Sequence, residues 1–243
     1  MMNNSLENYR KDELRNKLSR AGFRPLDVML TGTTGAGKSS TINAIFNASK
    51  AAVGFGCEPE TQQITHYTLH DFLRFWDTPG LGDSVAKDAG HKRNIAELLD
   101  KKYNMHNCDY GFIDMVLLVI EGSRRDLGTT CTLLNEVIMP RISSDRILVI
   151  INQADAAMKG RHWDAQNNKP DAVLQNFLQE QARSVKERLS SSSGLEVPKI
   201  VHCSAEYGSG IKEVMDFIID RMPLCRRPVS RLAGRHFFVS GIC

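Results

Sequence analysis

The chain lacks a signal-peptide-like apolar core near its start, a CxxC pair, and any apolar run long enough to cross a bilayer. Met1 to Leu18 is polar and charged, so secretion is not expected. Six cysteines (Cys57, Cys108, Cys131, Cys203, Cys225, Cys243) lie scattered without the spacing of a zinc or redox motif. Reduced thiols in a cytoplasm are the expectation. The longest apolar runs, Met115–Ile120 and Ile147–Ile151, fall far short of the roughly 20 residues a membrane helix needs. Repeats and low-complexity tracts are missing too, apart from Ser190–Ser193. With 42% hydrophobic and 24% charged residues, the composition excludes disordered, collagen-like and disulfide-scaffold classes.

An excess of one charge is also missing, except at one place. The 243 residues carry 31 Lys+Arg against 28 Asp+Glu, a formal charge of +3. Five arginines (Arg221, Arg226, Arg227, Arg231, Arg235) lie between Arg221 and Cys243, with no acid among them. Setting those aside leaves 26 basic and 28 acidic residues, a near-neutral body. Recognition of a DNA sequence is therefore not expected. The division that follows is a helical extension over 1–24, one domain over 25–222 and a basic tail over 223–243.

Periodicity predicts a leading helix within Leu6–Arg20, ended by Gly22 and Pro25. A strand over Asp27–Thr31 precedes a glycine-rich turn and a helix over Lys38–Ala48. Two strands, Ile64–Leu69 and Phe72–Trp76, are joined by a tight His70–Asp71 turn. A helix is expected over Ala89–Tyr103. Asp114–Ile120 and Arg146–Ile151 are continuous apolar runs, as parallel strands buried on both faces require. Leu133, Leu134, Val137 and Ile138 between them space like a helix. In Asp171–Leu189, begun by Pro170, the residues Val173, Leu174, Phe177, Leu178, Ala182 and Val185 form one apolar stripe. Lys199–Cys203 is a last strand and Ile211–Ile219 a last helix. Alternation of strands and helices predicts an α/β fold in three layers, a mostly parallel sheet with one antiparallel strand and helices on both faces.

Gly32-Thr33-Thr34-Gly35-Ala36-Gly37-Lys38-Ser39 fits GxxxxGK[ST] directly after a strand and opening a helix. Glycines let successive N–H groups curl around phosphates, and the helix N-terminus adds a favourable dipole. Lys38 can neutralise the β- and γ-phosphates, the Ser39 hydroxyl can bind Mg²⁺, and Ser40 extends the cradle. Asp77-Thr78-Pro79-Gly80 follows a strand, where an acid sits beside the phosphates. There Asp77 can hold Mg²⁺ through water, and the Gly80 N–H can meet the γ-phosphate. Asn152-Gln153-Ala154-Asp155 follows the next buried strand. A carboxylate at Asp155 can accept from guanine N1–H and the 2-amino group, a donor pair adenine lacks. A backbone N–H of Ser204-Ala205, after the last long strand, can reach guanine O6. Taken singly, DTPG also suits a plain turn and NQAD a helix cap; the value lies in their order, each after a strand.

With these motifs the chain resembles the translation-factor-related P-loop GTPases, specifically the Era-like and septin-like G domains, over about Asp27 to Arg221. The GTTGAGKSS and DTPGLGD wording is similar to bacterial 50S-ribosome-binding-type GTPases, and to septin and immunity-related GTPases. The resemblance implies a P-loop NTPase fold, GTP/GDP and Mg²⁺ binding, and slow hydrolysis in a molecular switch, with Lys38, Thr61 and Gly80 as catalytic residues. Thr61 stands where the family's switch threonine stands and would join Ser39 and Asp77 around Mg²⁺, with Thr65 the alternative.

Two departures from the family pattern matter. Gln153 stands where most relatives carry a lysine whose stem lies over the guanine ring; a glutamine amide can stack there without the cation. Leu81 stands where Ras-like proteins carry the glutamine that orients the attacking water, and Gly35 replaces the asparagine of potassium-activated relatives. Slow intrinsic turnover is expected, completed by a partner or by a homodimer across the nucleotide face. The alternative is an assembly module that binds GTP and scarcely turns it over. Arg124 and Arg125 are candidate arginine fingers or plain surface charge.

The remaining features carry plainer readings. His162 and Trp163 lie in the loop Lys159–Pro170, which either packs on the body or covers the base. His66, His70, His91 and His106 show no ligand spacing and read as surface or satisfied core residues. The tail can touch RNA phosphates of a ribosome or anionic lipid, as a peripheral membrane contact, or lie solvated or docked. With Cys243 last in the sequence, a CaaX prenylation box is not expected.

Overall fold

The computed structural model describes residues 6–49, 63–82, 84–105, 107–123, 126–227 and 229. In chain order the elements are α1 (Lys11–Ala21), β1 (Leu26–Gly32), α2 (Lys38–Ser49), β2 (Thr65–His70), β3 (Leu73–Asp77) and α3 (Val85–Asp100). Next come β4 (Lys102–Met105), β5 (Cys108–Gly111), β6 (Met115–Glu121), α4 (Gly128–Leu133, continued by a π-turn over Leu134–Ile138) and β7 (Ile147–Asn152). The chain closes with β8 (Trp163–Asp164), β9 (Lys169–Pro170), α5 (Ala172–Ser193), β10 (Ile200–His202) and α6 (Ile211–Asp220). Six strands form one sheet in the order β10-β7-β6-β1-β3-β2. All pairs are parallel except β2 with β3. The expected three-layer α/β fold with one antiparallel strand is the observed one.

Burial explains why the central strands read so clearly. Every residue of β1 and β7 is buried, as are the first six of β6, because helices cover both faces. One core cluster joins α1, α2 and α6 on one face: Leu14, Leu18, Ile42, Ile45, Val214 and Ile218 pack on Val28, Leu30 and Leu117. The other joins Ile95, Leu98, Leu134, Val185 and Leu189 with Met29, Val116, Leu118 and Val149. Alternation of side chains along β1 and β6 divides the two sets. The leading helix thus belongs to the body, tied also by Tyr9 and Arg10 to Asp216 at 2.7 and 2.8 Å.

Several boundaries differ from expectation. The leading helix starts at Lys11, since Arg10 takes a left-handed φ of 49°, and the β2–β3 turn is Asp71-Phe72 rather than His70-Asp71. Helix α3 ends at Asp100, and 102–111 form a β4–β5 hairpin that the expected helix to Tyr103 overran. Helix α5 is capped by Asp171, whose side chain accepts from the Leu174 N–H; Pro170 lies in β9. Its buried stripe is Leu174, Leu178, Val185 and Leu189, whereas Val173 and Phe177 are 50% and 36% exposed. Cys108, Cys131 and Cys203 are free thiols; Cys225 is disulfide-bonded, against the expectation of reduced thiols. Among the described residues no helix is long and apolar enough to cross a membrane.

The stretch read as a basic tail begins inside the body. Arg226 and Arg227 are 4% and 5% exposed. Arg226 lies 3.8 Å from Asp27 and 3.6 Å from Asp114, donates to the Pro25 carbonyl, and stacks over Phe23 and Tyr103. Arg227 donates to the Leu99 and Arg141 carbonyls. Its own carbonyl accepts from the Gly111 N–H, while the Val229 N–H reaches Asp109. The chain therefore runs on along the edge of the hairpin, and a boundary at 223 cuts through packed structure.

Candidate nucleotide site

The site grows from the carboxyl ends of β1, β3, β7 and β10, where the strands stop and loops leave the sheet. β1 ends at Gly32, and the P-loop runs through Thr33, Thr34, Gly35 and Ala36 to Gly37 before α2 opens at Lys38. Gly37 has a φ of 83°, and a Cβ there would stand 2.1 Å from Asn152 Nδ2. Only glycine meets both conditions. Lys38 is buried; its Nζ donates to the Thr33 carbonyl at 3.1 Å and lies 3.5 Å from that of Gly32. Ser40 and Gly35 are exposed at the loop's rim.

Asp77, the last residue of β3, is fully buried, and Ser39 Oγ donates to its Oδ2 at 2.5 Å. These are hard oxygen donors meeting at the N-terminus of a helix, a donor set that suits Mg²⁺. Thr78 Oγ1 donates to the Leu30 carbonyl at 2.8 Å, fixing the turn that follows. Gly80 presses on the P-loop so closely that a Cβ would stand 2.5 Å from Thr34 Cα. Leu81 is 1% exposed and packs in the core, while its backbone bridges Thr33. Its side chain is thus withdrawn from any chemistry at the loop.

Asn152 closes β7 instead of following it, and it ties three segments together. Its Nδ2 donates to the Ala36 and Gly37 carbonyls at 3.1 and 3.4 Å, and its Oδ1 accepts from the Ala205 N–H at 3.0 Å. Gln153, held at a φ of 60°, donates to the Gly35 carbonyl at 2.8 Å; the expected stacking amide is here a brace for the P-loop. Ser204 N–H donates to the Ser209 carbonyl at 2.8 Å. Both N–H groups of Ser204-Ala205 therefore have partners within the chain, so a bond to guanine O6 would be shared with one of these or replace it. The turn after β10 satisfies its own backbone first.

Asp155 differs from its neighbours. Its Oδ1 is buried and has no hydrogen-bond partner among the described residues, as is also true of Thr34 Oγ1. Leaving a buried acceptor unmet costs about 1–3 kcal/mol; Asp155 Oδ1 is one of several such buried atoms, with Asp77 Oδ1 at the same end of the sheet. Burial, together with the Asp155 charge, pushes the nearby Cys203 thiol up to about 12. Cys203 therefore stays protonated and serves as packing. Around this acid Trp163 packs with Ala154, Leu174 and Leu178, its ring 5.5 Å from that of Tyr207, and Asn168 donates to the Tyr207 carbonyl. Trp163 thus packs against the body, while most of the loop around it is exposed.

Lys38, Ser39, Gly80, Asp77, Asn152, Gln153, Asp155, Ser204 and Ala205 thus gather at one end of the sheet, while Thr61, Arg124 and Arg125 lie outside the described residues. One of the histidines read as surface or satisfied core lies beside the site. His91, 8% exposed on α3, holds the Gly80 carbonyl with Nδ1 at 2.8 Å. As one of seven histidines without ligand spacing, it has no sequence signal.

The sequence pattern of the 50S ribosome-binding GTPase family matches residues 27–154, just over half of the chain. The chain belongs to that family. Among curated relatives, the probable GTP-binding protein EngB of Salmonella paratyphi B is 27% identical over 155 residues, 62% of this chain and 68% of that protein. Translocase of chloroplast 108 of Physcomitrium patens is 38% identical over 79 residues, 31% of this chain. This GTPase-family chain spans only 8% of that translocase's length and 42% of a Streptococcus sanguinis EngB. Toc33 from Arabidopsis thaliana, solved with Mg²⁺ and GMPPNP, shares the fold at a TM-score of 0.58 and 14% identity, over 90% of this chain and 92% of that one. Another chloroplast translocon structure, at a TM-score of 0.59 and 15% identity, covers 88% and 90% of the two chains and is described as showing that dimerisation is important for the GTPase activity of Toc33 and Toc159.

Proposed function

We propose that the protein is a molecular switch that binds GTP with Mg²⁺ and hydrolyses it slowly to GDP and phosphate. The observation that carries this reading is the convergence of four separate motifs on one end of the sheet, with the buried, unmet Asp155 oxygen at its base-specificity corner. Asp155 supplies the acceptor for guanine N1–H and the 2-amino group, and leaving it unmet disfavours adenine. The P-loop N–H groups and Lys38 bind the phosphates. Ser39 and Asp77 would hold Mg²⁺, which supplies charge neutralisation at the phosphates when bound. Gly80 and Thr61 are the switch residues, releasing their loops when the γ-phosphate leaves. An Era-like or septin-like placement and a cytoplasmic location belong to this proposal.

A second reading has turnover wait on a partner or on a second copy across the nucleotide face. Burial of Leu81 favours it, because no side chain at that position can orient water, and the report on the chloroplast translocon proteins gives it precedent. Contact with ribosomal RNA or an anionic membrane through the tail would rest on fewer charges than the composition suggests, since Arg226 and Arg227 are held inside. The test is hydrolysis measured per molecule across a range of protein concentrations. A flat, slow rate supports the switch acting alone; a steep rise supports activation between copies.

A further inference from the structure

The loop carrying Gly80 is held from two sides. On the P-loop side, the Thr34 N–H donates to the Leu81 carbonyl at 2.8 Å and the Leu81 N–H to the Gly32 carbonyl at 3.3 Å. On the other side, α3 reaches back. The Asp88 carboxylate accepts from the Gly82 N–H at 2.9 and 3.1 Å, and His91 Nδ1 lies 2.8 Å from the Gly80 carbonyl. A carbonyl oxygen only accepts, so His91 carries a proton on Nδ1 and donates it to this bond. His91 is 8% exposed, so it is largely closed to solvent.

The Gly80–Leu81 peptide therefore spans from α3, through its C=O, to the P-loop, through its N–H. With that unit pinned at both ends, the freedom left to Gly80 is rotation of the preceding peptide, whose N–H is the group assigned to the γ-phosphate. We propose that His91 is a positioning residue that sets the Gly80 peptide for a nucleoside triphosphate and links α3 to the state of the site. The inference rests on the GTP reading above. GTP and GDP differ at the γ-phosphate alone, so a residue acting through Gly80 discriminates between them. A residue that merely supports the fold affects both alike.

Fluorescent GDP and a non-hydrolysable GTP analogue, each with Mg²⁺, are titrated into the full chain as wild type, His91→Phe and His91→Asn. Phenylalanine keeps the bulk without the donor; the asparagine amide can place a donor near the position of Nδ1. His91→Phe is expected to lose about tenfold in affinity for the GTP analogue, the loss of one hydrogen bond, with GDP affinity changed by less than about twofold. His91→Asn is expected to recover most of that loss. Equal losses for both nucleotides, no loss at all, or tighter binding of the GTP analogue would overturn the inference while leaving the nucleotide reading intact. Failure of the wild type to bind either nucleotide would overturn both.

Discussion

The two ends of the sheet use buried charge in opposite ways. At the amino end, charges meet one another. Arg74 grips Asp27 through two hydrogen bonds of 2.7 and 2.9 Å, Trp76 Nε1 adds a third, and Arg226 lies against both Asp27 and Asp114. At the carboxyl end, Asp155 has a buried oxygen without a partner, and Asp77 meets the Ser39 hydroxyl at a helix N-terminus. One end meets its carboxylates with guanidinium groups, although Asp114 Oδ1 and Arg226 Nε stay without a partner among the described residues; the other meets Asp77 with a hydroxyl and leaves Asp155 Oδ1 unmet. Under the proposed function the same residue type is structural in one place and functional in the other.

Breaking the amino end should have the largest effect on stability. Arg226→Ala leaves buried Asp114 without its nearest cation, while Asp27 keeps Arg74; breaking such a buried pair costs about 3–5 kcal/mol, read as a lowered denaturation midpoint. Ending the chain before Met222 should do at least as much, whereas ending it after 229 spares these contacts. Removal of the whole basic tail thus carries a stability cost that its reading as an appendage would not suggest.

Changes at the carboxyl end should act on binding instead. Asp155→Asn removes the charged acceptor and should weaken guanine-nucleotide affinity roughly 10- to 100-fold, the worth of a hydrogen bond to a charged group, with stability unchanged or raised. Equilibrium titration and a parallel unfolding curve separate the two. Gln153→Lys should act least, because the change trades the bond to the Gly35 carbonyl for a cation near the base; affinity should shift by no more than about tenfold either way.

Acidity offers a further way to sharpen the contrast. Burial pushes the Asp114 carboxyl up to about 7, against the pull of Arg226. Below the ordinary carboxylate range both folded and unfolded chains bind the proton. As the pH rises from about 4 to about 7 the unfolded chain gives it up first, so stability falls through that window, by at most about 1.4 kcal/mol per pH unit. His202 opposes this, since burial holds its imidazole down to about 4 and its contribution grows as the pH rises from there toward its ordinary value. Asp114→Asn removes only the first effect. Its denaturation midpoint should therefore gain on the wild type between pH 5 and pH 7.

How much of this was legible in the sequence follows from what each signal measures. β6 and β7 were legible because burial on both faces leaves a continuous apolar run. The P-loop was legible because its residue types, spacing and strand–helix context all constrain one another. The β4–β5 hairpin was not: Lys102–Met105 and Cys108–Gly111 are largely exposed or half-buried, so no apolar period marks them. In α5 the apolar period is wider than the buried stripe, because Val173 and Phe177 follow the period yet face outward. Arg226 and Arg227 looked like solvated tail charge, since their acidic partners lie far away in sequence. His91 and the closing role of Asn152 are likewise products of tertiary placement, visible only once α3 and the P-loop are brought together.

The proposed function has the carboxyl end hold its polar groups for a guanine nucleotide. Calorimetric titration of the wild type and Lys38→Ala with GTP and with ATP, both with Mg²⁺, tests it most directly. Wild-type protein should bind GTP at least about a hundredfold tighter than ATP, and Lys38→Ala should lose that binding without loss of folding. ATP bound as tightly as GTP with Asp155 intact, or unchanged GTP affinity in Lys38→Ala, would contradict it.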